Sequence, residues 1–108
     1  MLENKPSVSN QVISLAPFLN TNCKLVIKRE DLIHPYISGN KYRKLKYNLI
    51  NAKKEGFNTL LTFGGAYSNH IAAVASVGKE FGFNTIGVIR GEELIDKNEL
   101  NPTLLFAK

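Results

Sequence analysis

The 108-residue chain has one cysteine, two histidines and no apolar run approaching the roughly 18 residues of a membrane span. A lone Cys23 excludes an internal disulfide and fits a reducing compartment, so a cytoplasmic protein is expected. No basic group is paired with Cys23 in the sequence, and it reads as a buried spectator rather than a nucleophile. No basic segment leads into a hydrophobic core, so neither a secretory leader nor a membrane partner is expected. No second His, Cys or carboxylate stands at ligand spacing from His70, which leaves no metal site to predict. Internal repeats and low-complexity segments are absent as well.

Acidic residues are also scarce, nine against fourteen Lys and Arg, for a net charge of +5. Six of the fifteen residues from Asn40 to Lys54 are Lys or Arg, enough for a phosphate-backbone footprint. A basic binding module, or an inert remnant with no ligand, is therefore one reading. Against it, no nucleic-acid motif is present, and Tyr42 and Tyr47 read as helix packing rather than base stacking. No nucleic-acid partner is expected.

What the chain does have begins at Ser38-Gly39-Asn40-Lys41-Tyr42-Arg43-Lys44-Leu45. Tyr42, Leu45, Leu49 and Ala52 recur at helical spacing, and Asn40 reads as the N-cap. Lys41, Arg43 and Lys44 then fall in the first turn, where each cation costs about 0.3–1 kcal/mol against the helix dipole. Two uses would account for the cluster: an anion held at the helix start, or a lysine whose pKa is lowered by neighbouring cations, the kind that forms a Schiff base. Basic residues on a solvated helix face are the plainer alternative.

A second motif runs from Thr59 to Gly78: a strand (Thr59 to Phe63), a turn led by Gly64 and Gly65, and a helix rich in small residues. Ser68 or Asn69 caps that helix, which gathers amide and hydroxyl donors beyond the carboxyl end of a strand, where open α/β sheets bind ligands. His70 reads as a packing or capping residue, with a base or ligand as the alternative. Lys24 to Lys28 and Thr85 to Ile89 are further strand-like runs, and the last two strands with the helix between them suggest a βαβ unit. Residues 1 to 20 read as an extended lead-in with a short helix or turn around Val8 to Leu15.

Together, SGNKYRKLKY and TFGGAYSNHIAAVAS resemble the pyridoxal-phosphate enzymes of the 1-aminocyclopropane-1-carboxylate deaminase/D-cysteine desulfhydrase family. The likeness extends to KREDLIHP (Lys28 to Pro35), GVIRGEE (Gly87 to Glu93) and NPTLLFAK (Asn101 to Lys108), covering residues 24 to 108. It implies an α/β fold of the tryptophan-synthase-β-like type, here a partial three-layer parallel-sheet (βαβ) arrangement. Residues 1–39 would belong to the larger domain and 40–108 to an incomplete smaller cofactor-side domain. By the same resemblance Lys41 matches the lysine that carries pyridoxal 5'-phosphate as a Schiff base and moves the substrate proton, with Asn40 beside it. Lys44 matches a cofactor-phosphate contact and Asn69 a contact to the ring hydroxyl. Ser68 matches the group that grips the substrate carboxylate, with Tyr67, Asn69 and His70 on the substrate side. The implied reaction turns a small amino acid into ammonia and a 2-oxo acid, with sulfide also released from a thiol substrate, in a homo-oligomeric enzyme. A dehydratase or β-replacing synthase of the same fold is the sibling reading.

Two positions depart from the familiar pattern: Ser38-Gly39 stands for Gly-Gly, and Tyr67 for Gln. Asn101-Pro102 opens a further helix, and the sequence ends inside it without a stop signal. The expectation is an N-terminal portion of a longer enzyme, inactive alone. Two or three parallel strands leave open edges, so the isolated chain is predicted to be partly folded or self-associating. Size-exclusion chromatography with a thermal melt checks this, a cooperative transition from a monodisperse monomer being the contrary result.

Overall fold

β-Branched and aromatic residues in Thr59 to Phe63 and Thr85 to Ile89 favour extended backbone, and the two runs pair in parallel. The computed structural model describes residues 7–37, 39–94 and 99–108. Ser38 and the first six residues of the lead-in lie outside the described residues. In chain order the elements are β1 (Asn10–Ile13), β2 (Leu25–Lys28), α1 (Asn40–Lys54), β3 (Thr59–Gly65), α2 (Asn69–Phe81), β4 (Asn84–Arg90) and α3 (Pro102–Ala107). Single 3-10 turns cover Glu30–Leu32 and Glu92–Leu94.

The β3-α2-β4 unit is the centre of the fold. Leu60, Thr62 and Gly64 face α2, while Leu61 and Phe63 face away. The strand runs on through both glycines, two residues beyond the expected turn, because Gly64 tolerates a close approach. A Cβ there would meet Ile71 Cγ1 at 2.7 Å and Ser68 Oγ at 2.9 Å. The α2 helix ends at Gly82 in the left-handed conformation (φ 74°), and Gly78 O accepts the amides of Gly82 and Phe83, both at 3.0 Å.

Helix α1 packs its Tyr42-Leu45-Leu49 stripe against Ala73, Val74 and Val77 of α2, with Ile37 and Phe83 closing the cluster. Ile37, Leu49 and Val77 are wholly withdrawn from solvent, each such side chain contributing about 1.5–3 kcal/mol of transfer free energy. The N-cap of α1 is Gly39, not Asn40. Gly39 takes φ 60° and ψ −140°, a conformation that favours glycine, and no side chain caps the helix. Lys41 is therefore the second helical residue and Arg43 the fourth. In α3 the expected cap holds: Asn101 Oδ1 accepts from the amides of Thr103 and Leu104.

The lead-in corrects another expectation. Residues 10–13 form β1, antiparallel to β2 with Asn10 opposite Lys28 and Ile13 opposite Leu25. The turn falls later, where the amides of Phe18 and Leu19 donate to Leu15 O. A strand of four residues is set by its partner fifteen residues on, and local periodicity carries no trace of it. Cys23, in the connection, is exposed rather than buried.

Helices cover one face of the parallel sheet; among the described residues nothing covers the other. Leu61 pairs with Ile86 and Phe63 with Val88, and these four side chains are 58, 67, 50 and 44 % exposed. Parallel strands are ordinarily covered on both faces, so the three-layer arrangement is represented by one helical layer. The chain exposes 8228 Å² against the roughly 6,000 Å² of a compact monomer of its mass. Its radius of gyration is 17.9 Å against about 13 Å.

The tightest helix–sheet approach is at Gly78, where an added Cβ would meet Phe83 O at 2.8 Å and the side chain of Thr85. Gly78→Ala is expected to destabilise the chain by about 1–3 kcal/mol, read as a lowered urea midpoint.

Candidate functional site

Two helices begin at one cavity. A parallel strand delivers the chain to the carboxyl edge of the sheet, so α2 starts there, and α1, packed on α2, starts beside it. This half-open cleft has a volume of about 490 Å³. Gly39, Asn40 and Lys41 line it from the start of α1, and Ser68, Asn69 and His70 from the start of α2. Tyr36 and Ala72 complete the wall.

Ser68 caps α2 through its hydroxyl oxygen, which accepts from the amides of His70 (3.2 Å) and Ile71 (3.4 Å). Both acceptor positions are thus used, and the hydroxyl proton is the group left to donate. At α1 the first-turn amides have no side-chain cap. Each helix start carries about half a positive charge, and Lys41 adds a whole one. An electropositive pocket with unspent N–H and O–H donors suits a phosphate or carboxylate.

His70 is the unsatisfied member. Its Nδ1 is, among the described residues, the buried side-chain polar atom without a hydrogen-bond partner. Burial pushes its pKa below the ordinary value, and the charges of Lys41 and then Lys44 push it further the same way. Both effects favour the neutral imidazole.

Five of the seven residues predicted from sequence meet here: Asn40, Lys41, Ser68, Asn69 and His70. Lys44 does not line the cavity; it lies on the exposed side of α1 but close enough to act on His70. Tyr67 lines an adjoining crevice of about 690 Å³ with Arg90 and Gly91, the two spaces meeting at Ser68. Sequence reasoning missed Tyr36. Its ring lies 5.6 Å from that of Phe106, and its amide donates to His34 Nδ1. A loop residue held by long-range contacts has no periodic signal. Among the described residues no group of three or more His, Cys, Asp or Glu could hold a metal, and no helix is long and apolar enough to cross a membrane.

Because the folded pKa of His70 lies below its ordinary 6.5, the unfolded chain binds more protons as pH falls past that value. The stability this group contributes is complete above pH 6.5 and is lost as pH drops through the folded pKa. Urea midpoints above and below pH 6.5 are expected to differ less in His70→Gln than in the parent chain.

No family model matches the chain. A protein of Thermotoga maritima, provisionally named a 1-aminocyclopropane-1-carboxylate deaminase, is 41% identical over 85 residues, 78% of this chain and 27% of the relative. A Pyrococcus abyssi protein with the same provisional name is 38% identical over 79 residues, 73% of this chain and 24% of the relative. D-cysteine desulfhydrase of Serratia proteamaculans is 35% identical over 78 residues, 72% and 23% respectively. The chain thus spans about a quarter of the length of these curated relatives. Over that span its sequence is related to the 1-aminocyclopropane-1-carboxylate deaminase and D-cysteine desulfhydrase family.

Proposed function

We propose that the chain carries the lysine loop and the carboxylate-binding loop of a pyridoxal-phosphate-dependent deaminase or desulfhydrase. The substrate would be a small amino acid of the 1-aminocyclopropane-1-carboxylate or D-cysteine kind, and the products ammonia and a 2-oxo acid. The supporting observation is the convergence of Asn40, Lys41, Ser68, Asn69 and His70 on one cavity at two helix starts. The names of the relatives agree with this chemistry.

The donor set suits the cofactor. Lys41 offers an amine to an aldehyde carbon. The uncapped first turn of α1 offers amides to a phosphate, with Lys44 adding charge from outside the cavity. The side chain of Asn69 provides a further polar contact. Once bound, pyridoxal phosphate supplies an electron sink for a carbanion beside the amino group.

The residues divide the remaining work. Lys41 would hold the cofactor and move the substrate proton, which a D-cysteine-like substrate carries on its α-carbon; 1-aminocyclopropane-1-carboxylate has no α-hydrogen, and there the opening of the strained ring would replace that step. Ser68 donates its hydroxyl proton to the substrate carboxylate, with the start of α2 behind it. Asn69 would contact the ring hydroxyl of the cofactor, with His70 and, in the crevice that adjoins at Ser68, Tyr67 on the substrate side. Because the chain spans about a quarter of these relatives, turnover is proposed only for a protein of their full length, a cytoplasmic homo-oligomer. Residues 1–39 are assigned to its larger domain and 40–108 to the smaller one.

Borohydride reduction in the presence of pyridoxal phosphate, followed by peptide mapping, tests the reading. Selective labelling of Lys41, abolished in Lys41→Ala, is expected. Labelling scattered over exposed lysines would overturn the assignment for this chain.

A further inference from the structure

The run Lys28-Arg29-Glu30-Asp31 has no place in the site described above, yet Glu30 reaches the helix carrying Lys41 by two routes. Its main-chain carbonyl accepts from the Gly39 amide at 2.9 Å, closing the loop between them. Its carboxylate takes a forked bond from Arg43, Nε to Oε2 at 3.0 Å and Nη2 to Oε1 at 2.8 Å. Lys28 Nζ adds a contact to Oε1 at 3.1 Å. Gly39 and Arg43 stand two residues to either side of Lys41, so the ties bracket it.

Helical geometry gives the bracket a consequence. Residues two apart are separated by about 200° around the axis, so Lys41 and Arg43 project on nearly opposite sides of α1. A forked guanidinium–carboxylate pair fixes orientation as well as distance. Holding Arg43 on the Glu30 side turns Lys41 toward the cavity. Burial of Tyr42, Leu45 and Leu49 sets the rotation of α1 as a whole, but its first turn has no side-chain cap, which leaves the helix start to these ties. We propose that Glu30 is a positioning residue for Lys41, fixing the entry and first turn of α1 through Arg43 and the Gly39 amide. This rests on the assignment of Lys41 as the cofactor lysine.

Exposed ion pairs ordinarily add little to global stability. The effect belongs to the helix start, which separates positioning from a general structural role. The test compares the full chain with Glu30→Gln and Glu30→Asp by amide hydrogen exchange and by borohydride labelling with pyridoxal phosphate. In Glu30→Gln, exchange at Gly39, Lys44 and Leu45 is expected to rise about ten-fold relative to Val74 and Val77 of α2. Labelling is expected to lose its preference for Lys41, with the urea midpoint little changed. Glu30→Asp, which keeps a carboxylate, is expected to recover part of both. Equal exchange in the parent chain and Glu30→Gln overturns the proposal, as does a Glu30→Asp variant no better than Glu30→Gln. If exchange responds but Lys41 of the parent chain is not labelled, the positioning stands and the cofactor reading fails.

Discussion

Parallel pairing of β3 with β4 is the constraint from which the rest of the arrangement follows. Two parallel neighbours cannot be joined by a tight turn, so the chain must travel back the full length of the sheet. Here it does so as α2, which begins where β3 ends and lies across both strands. The close seats at Gly64 and Gly78 let that helix settle onto the sheet. With α2 in place, Ala73, Val74 and Val77 form the surface on which Tyr42, Leu45 and Leu49 pack, and α1 acquires its position. The site is therefore a by-product of strand order: one helix starts at the carboxyl edge by necessity, and a second is drawn to its side by apolar burial.

Electrostatics then separates the three cations at the start of α1 into different roles. Arg43 is drawn outward to a carboxylate, which raises its own affinity for a proton and lowers that of Glu30, hydrogen bonding being the leading cause for both. Lys41 is left facing the cavity, and Lys44 stands outside it. The penalty of basic residues at a helix start is answered for one by an ion pair. For the other two it is a source of positive potential that the nearby imidazole registers.

Much of this was legible in the sequence, for identifiable reasons. The parallel strands and α2 are continuous, strongly patterned segments, and the cap of α2, read as Ser68 or Asn69 and found at Ser68, uses local chemistry that a short window contains. The stripe Tyr42-Leu45-Leu49 is legible for the same reason. What local pattern could not supply is pairing at a distance. β1 exists because β2 lies beside it, and Glu30 matters because Arg43 folds back over thirteen residues. Asn40 has the side chain of a good cap, but the preceding glycine with positive φ starts the helix one residue sooner. Cys23 sits in a hairpin whose flanking strands are exposed on both sides, so an apolar side-chain character was no guide to burial.

The bare face formed by Leu61, Phe63, Ile86 and Val88 also shapes how this chain responds to temperature. Heat-capacity change and denaturant sensitivity on unfolding both scale with the surface newly wetted. A fold that already keeps a row of paired apolar side chains in water has less left to expose. Its stability curve is consequently broad and low, bending gently with temperature, and its transition in urea is shallow for a chain of this length.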